Sequence, residues 1–447
     1  MALASLCLTM LLSSLGTSAA NVALPAIAQA FGASLQEVQW IVLAYLLATT
    51  TLIVSAGRLG DTAGRRRLML AGLAVFTASS ALCGLARQLP LLIAARATQG
   101  VGAAAMMALT MAFVGDAAPK DKAGSAMGLL GTISAVGTAL GPSLGGVVVA
   151  AAGWRAIFFI NLPLGLLALL FAFRHLPDDR PSLRTRQAGF DHRGTVLLGL
   201  TLAAYAMAMT WGRDRLGAAN AALLCVAALG AGMFVLAERR ARSPLVRLEM
   251  IRNPVLGAGF ATSALVSTVV MSTLVVGPFY LTGALGLDAA QAGFAMSAGP
   301  IVSALTGVPA GRLVDRFGSH RASLAGLSIM AAGCALLPMM PASLGIPGYV
   351  IPLVTLTAGY ATFQAANNTA IMADVGAEQR GLVSGMLNLA RNLGLITGAS
   401  LMGAAFALGS GDVVAGMRIT FAVATALVVV ALAATRAGRA QSFKMAG

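Results

Sequence analysis

Apolar residues run along this chain in blocks separated by short polar stretches, from one end to the other. Most blocks hold roughly 18 to 27 residues, enough for a helix to cross about 30 Å of hydrocarbon. The pattern predicts about fourteen spans, near 4 to 25, 38 to 57, 67 to 86, 91 to 113, 124 to 150, 155 to 173, 195 to 211, 217 to 237, 256 to 282, 290 to 312, 322 to 341, 346 to 372, 381 to 408 and 416 to 436. An even number of crossings places both termini on one side.

Composition sharpens that picture. Of 447 residues, 58% are hydrophobic and 10% charged, with a mean hydropathy of +0.85; a soluble domain carries about a quarter charged residues. The net charge of +15 would suggest nucleic acid in a soluble chain, but its placement argues for a membrane. Basic residues crowd alternate loops, including Arg58, Arg65 to Arg67, Lys120, Lys122, Arg174 to Arg193, Arg239 to Arg252, Arg312, Arg316, Arg321 and Arg380. The intervening loops hold only Arg87, Arg155, Arg213, Arg215 and Arg418. By the positive-inside rule the first set and both termini are cytoplasmic, facing anionic lipid. Cys7, Cys83, Cys225 and Cys334 lie apart inside apolar runs, without metal-like or disulfide-like spacing. The N-terminal run reads as the first span and not as a signal peptide, since it has no basic leader; a start upstream of Met1 would supply one.

The run Gly57-Arg58-Leu59-Gly60-Asp61-Thr62-Ala63-Gly64-Arg65 recurs as Gly311-Arg312-Leu313-Val314-Asp315-Arg316-Phe317-Gly318-Ser319, each after a span on the cytoplasmic side. This internal repeat predicts duplicated six-helix halves. The boundaries are then 1–173 and 256–447 for the halves, 195–237 for an inserted helix pair, and 174–194 and 238–255 for cytoplasmic linkers. In the loop, Gly57, Gly60 and Gly64 allow tight turns and close helix approach, and Asp61 can pair with Arg65 or Arg66.

Three further groups carry chemistry. Arg96, with Gln99, Gly100 and Gly102, lies inside the fourth span, where an arginine is costly and faces a cavity or a partner unless it snorkels to the interface. Gly137, Gly141 and Gly145 recur every four residues beside Pro142 and Gly146, a smooth stripe for close packing with a bend at the proline. Arg391 lies about three turns into the thirteenth span with Asn388 and Asn392 nearby, and Gln364, Asn367 and Asn368 cluster on the twelfth. These amides, with Thr17 and Asn21 of the first span, are candidates to line a cavity or to bond between helices.

In this order the runs resemble the motifs of the major facilitator superfamily, in particular its fourteen-helix drug:proton antiporter branch. The repeated loop is similar to the superfamily's loop signature, the Arg96 run to its fourth-helix motif, and the Gly137 to Gly146 run to the motif of its exporters. Asn21 to Pro25 and Gly153 to Gly165, with Trp154 and Arg155 as interface anchors, are similar to sequences typical of the branch. The resemblance implies an all-α fold of two six-helix halves plus two inserted helices around a midplane cavity. It also implies that Asp61 and Asp315 belong to cytoplasmic gates and that Arg96 is linked to proton transfer.

One position departs from the branch. Where it has Leu-Asp in the first span, this chain reads Leu15-Gly16-Thr17-Ser18, and all fifteen acidic residues fall in loops or near span ends. Coupling candidates are therefore Arg96, Gln99, Gly100, Asp116 and Arg391. The expected function is secondary transport in the bacterial cytoplasmic (inner) membrane, exporting small organic compounds or drugs by proton-coupled antiport. The expected partners are substrate, protons and lipid, and the chain is expected to be monomeric, without nucleic acid, cofactor or metal. A facilitator or importer of a neutral or anionic solute, or a transport-inactive sensor, is the rival. An enzyme is not expected, for want of a nucleophile, base and orienter or a metal-ligand set.

Overall fold

The computed structural model describes residues 2–117, 123–177, 192–210, 217–240, 253–373 and 380–446, and every element among them is helical. By contacts the chain divides into two compact units, Met1–Trp211 with Leu216–Leu245, and Gly212–Arg215 with Val246–Gly447.

The first unit holds α1 (Ala2–Phe31), the short α2 (Leu35–Val38), α3 (Trp40–Ala63), α4 (Arg65–Leu85), α5 (Leu89–Ala117), α6 (Ala123–Ala152), the short α7 (Ala156–Phe159), α8 (Asn161–His175), α9 (His192–Thr210) and α10 (Ala218–Arg240). The second holds α11 (Pro254–Gly283), α12 (Ala289–Phe317), α13 (Ser319–Leu336), α14 (Gly345–Ala373), α15 (Arg380–Ala407) and α16 (Val413–Ala446). Eleven of the described stretches are long and apolar enough to cross a membrane. The expected spans near 38 to 57, 124 to 150 and 381 to 408 are not among those eleven, and they fall on α3, α6 and α15. Large apolar side chains face outward on both units, Leu229 at 69% and Leu305 at 72% exposure, as lipid-facing helices require. Most of the two linkers, 178–191 and 241–252, lies outside the described residues, as do Lys120 and Lys122.

Local chemistry sets several helix starts. Asn253 caps α11, its side chain accepting from the Val255 and Leu256 N–H groups with Pro254 in the first turn. Asp288 and Gln291 form a capping box for α12, and Ser34 and Glu37 one for α2.

Lipid tails provide no hydrophobic drive for helix association, so close approach through small residues does much of the work. A Cβ at Gly102 of α5 would lie 2.7 Å from the Gly72 carbonyl of α4, and one at Gly359 of α14 would lie 2.6 Å from the Gly326 carbonyl of α13. These two helix pairs hold equivalent places in the two units, so the duplication seen in the loops extends to the packing.

The repeated loop differs from the expected turn. Gly57 and Gly60 lie inside α3, and only Gly64, at φ 104°, breaks the backbone before α4 starts at Arg65. Gly318, at φ 82°, does the same between α12 and α13. A side chain at either position would be strained. Gly60 is small for packing, since a Cβ there would collide with Leu109 of α5.

The helices α9 and α10 pack on each other, and α9 lies against α3. The Trp40 indole N–H donates to the Thr210 hydroxyl at 3.0 Å near one end, and the Ser55 and Thr195 hydroxyls are 2.7 Å apart near the other.

Candidate functional site

In the first unit the site is built on Arg96. The helix α5 starts at Leu89 with Pro90 in its first turn, and Arg96 sits two turns in, 1% exposed. Its Nε donates to the Ile41 carbonyl of α3 at 3.0 Å, and its Nη1 to the Gly16 carbonyl of α1 at 3.1 Å and to Gln99 Oε1 at 2.6 Å. The guanidinium carbon stands 4.3 Å from the centre of the Tyr45 ring. Gln99 Nε2 donates to Ser80 of α4 at 2.6 Å, and the Tyr45 hydroxyl to the Ser13 carbonyl at 3.3 Å. One buried cation thus joins α1, α3, α4 and α5, and snorkelling is ruled out by its enclosure. Its Nη2 is buried with no hydrogen-bond partner.

Among the described residues no carboxylate touches Arg96. The acceptor from the first span is a backbone carbonyl, using the second lone pair that a helical C=O retains. The position where the branch has Asp is closed: a Cβ on Gly16 would stand 3.0 Å from Phe76 Cζ and 3.9 Å from the Tyr45 hydroxyl. The Phe76 ring occupies that space.

Near this centre, Asn21 is fully buried, its Nδ2 donating to the Thr17 carbonyl at 3.1 Å while Oδ1 has no partner, and Thr17 bonds the Ser13 carbonyl at 3.0 Å. A Cβ at Gly100 would lie 2.6 Å from the Tyr45 carbonyl, so α5 meets α3 backbone to backbone, with Thr49 Oγ1 donating to the Gly100 carbonyl at 3.3 Å. The stripe on α6 faces α1: Gly137 opposes Ser14, Gly141 opposes Ser18, and Gly145 opposes Ala19, whose carbonyl a Cβ would meet at 3.1 Å. Pro142 lies inside the continuous α6, and Gly146 is buried. Trp154, an expected interface anchor, is instead buried against Phe31 at 5.5 Å, with Arg155 stacked on it at 4.3 Å.

Around the loop motif, Arg66 donates to the Phe173 carbonyl of α8 and stacks on that ring at 5.5 Å. Arg65 is half-buried. Asp61 and Asp116 are placed on α3 and α5 by their backbones, and their side chains lie outside the described set. In the second copy Gly311 lies inside α12 and Asp315 is exposed in its last turn.

The second unit carries the other intramembrane arginine. Arg391 of α15 is half-buried, and its Nη2 donates to Asn368 Oδ1 of α14 at 2.6 Å. Tyr360 lies within electrostatic reach of it. Gln364 and Asn392 are half-buried and Asn388 is exposed. The amide cluster splits: Asn367 turns to α11, its Nδ2 donating to the Ser263 hydroxyl at 2.7 Å and the Gly259 carbonyl at 3.2 Å, whereas Asn368 turns to α15. Sequence reasoning missed Tyr45, Phe76, Ser80 and Tyr360. The signal for Ser80 and Tyr360 was only a polar atom inside an apolar run.

Apolar helices with an outward lipid-facing surface and ionisable groups held inside are the build of a polytopic membrane transporter. The model of the Major Facilitator Superfamily matches residues 6–399, and the chain belongs to that family, whose members are transporters and not enzymes. It is 34% identical over 384 residues to the uncharacterized transporter YebQ of Escherichia coli (strain K12), covering 86% of this chain and 84% of YebQ. It is 30% identical over 403 residues to the riboflavin transporter RibZ of Clostridioides difficile (strain 630), covering 90% and 87%. It is 32% identical over 400 residues to the multidrug resistance protein Stp of Mycobacterium tuberculosis, covering 87% and 72%. Among solved structures, a bacterial homologue of the human lysosomal transporter Spinster superposes with a TM-score of 0.72 at 15% identity, over 98% of this chain and 96% of that one.

Proposed function

We propose that this chain is a fourteen-helix exporter of small organic compounds, driven by proton antiport through alternating access in the bacterial cytoplasmic membrane. In this reading it works as a monomer with both termini in the cytoplasm. The observation that carries the transport reading is the half-buried polar set on α14 and α15, Gln364, Asn368, Arg391 and Asn392, in the interior of two long helices. Such groups face water or a passing solute, not acyl chains. Export is supported by the α6 stripe seated on α1 and by the likeness to a multidrug resistance protein. Likeness to a riboflavin transporter supports a second reading, a carrier for one defined solute.

With no Asp in the first span, protons are handled by Asp61 or Asp116 near helix ends, or carried by the substrate itself. The test is uptake of a chemically varied drug panel by everted vesicles, with and without a proton ionophore. Ionophore-sensitive accumulation is expected; movement that only equalises concentrations would support the facilitator instead. Asp61→Asn is expected to lower uptake at least about ten-fold at unchanged membrane abundance, a latch charge at a helix end being lost. Asp315→Asn is expected to act more weakly, and normal uptake by Asp61→Asn at normal abundance would remove the gating role from the first loop.

A further inference from the structure

Among its described residues the second unit shows no carboxylate paired with Arg391. Apart from Asp315 in the exposed last turn of α12, none of its helices α11 to α16 contains an Asp or Glu. Arg391 lies well inside α15, and its only hydrogen bond among the described residues is the one from Nη2 to Asn368 Oδ1. A guanidinium has five N–H donors and no acceptor. The remaining donors of Arg391 are not sealed in: it is half-buried, and none of its nitrogens is among the buried atoms that lack partners.

The neighbours add to this surplus. Arg391 can only donate, so the Asn368 carbonyl must face it, and the Asn368 Nδ2 group is left as a further donor beside the charge. Gln364 lies one turn from Asn368 on α14, Asn388 one turn from Arg391 on α15, and Tyr360 close enough to interact electrostatically. A positive charge with open donors inside a long helix is complementary to an ionised oxyanion, and the fork of a guanidinium matches the two oxygens of a carboxylate.

We infer that Arg391, with the Asn368 amide beside it, forms the subsite that receives an ionised carboxylate of the transported solute, an assignment that rests on the transporter reading above. The solute's acid supplies the counter-charge that Arg391 lacks among the described residues. A dication finds no partner there, because the guanidinium repels it and its neighbours carry no negative charge.

The test is equilibrium binding to the purified protein in detergent, read by fluorescence anisotropy, with two matched probe pairs: fluorescein and its methyl ester, and a carboxy-rhodamine and its methyl ester. Wild type is expected to bind each acid at least about ten-fold more tightly than its ester, the scale of a charge-assisted hydrogen-bonded pair. Arg391→Gln is expected to remove that preference while changing ester affinity less than about two-fold, and Arg391→Lys to restore part of it. Asn368→Asp, which supplies an internal counter-ion, should weaken the acids about ten-fold and spare the esters, and it stands in if Arg391→Gln does not fold. The inference is overturned if wild type binds neither acid, if acid and ester bind equally, or if the variants weaken both alike, as a purely structural arginine would. Because binding needs no gradient, failure of the transporter reading shows separately, as no probe moving in everted vesicles.

Discussion

The two units each place one arginine deep in an apolar helix, and treat it in opposite ways. Arg96 gives three hydrogen bonds, two of them to backbone carbonyls of other helices, and lies under the Tyr45 ring with almost no exposed surface. Arg391 gives one, to a side chain, and stays half open. The same residue type is enclosed by the fold in one unit and left open in the other, where the carboxylate subsite is proposed. The acceptors, not the charge, distinguish the two sites. Arg96 is held by backbone carbonyls fixed in helices, whereas the Asn368 amide leaves most of the Arg391 donors open.

Removing each in turn tests this contrast. Arg96→Ala is expected to have the largest effect, about 3 kcal/mol or more of stability, from three lost bonds at roughly 1 kcal/mol each and the cavity left behind. Thermal unfolding in detergent and membrane abundance would register it, and Arg96→Lys should rescue little, since one ammonium cannot span acceptors on α1, α3 and α5. Next comes Gly394→Ala, expected to cost about 1 to 3 kcal/mol by overpacking. There a Cβ would collide with the Ala264 carbonyl of α11, which is backbone and cannot yield easily. The same unfolding assay reads it, and a silent variant would mean that α11 and α15 separate without penalty. The smallest stability effect is expected for Arg391→Ala, less than about 1 kcal/mol for one interhelical bond. A loss as large as that of Arg96→Ala would erase the distinction between the two residues.

Much of this was legible in the sequence. Hydropathy located the helices, the repeated loop exposed the duplication, and the cost of an arginine in lipid drew attention to Arg96 and Arg391. What the letters could not give was the identity of the acceptors. The Ile41 and Gly16 carbonyls belong to the backbone, which every residue shares, so no composition signal marks them. Nor does a run such as Asn367-Asn368 say which amide faces which helix; neighbours on a helix point about 100° apart, and only the placement of α11 and α15 decides. Trp154 looked like an interface anchor because its burial depends on Phe31, far away in the chain. The sequence allowed Gly57, Gly60 and Gly64 both tight turns and close packing, because glycine's two uses are spelled the same way; only Gly64 takes the turn.

The two hydrogen bonds that fasten α9 to α3 have a bearing on how the protein is made. Their partners are 170 and 140 residues apart in the chain, so α3 is already in the bilayer when α9 leaves the ribosome. The Trp40 indole and the Ser55 hydroxyl can meet Thr210 and Thr195 only once α9 has been made. Domains generally fold N-terminal first, and the two bonds tie the last-made helices of the first unit, α9 and α10, back to a helix made long before them, so the packing of that unit is complete only when its final pair is in place.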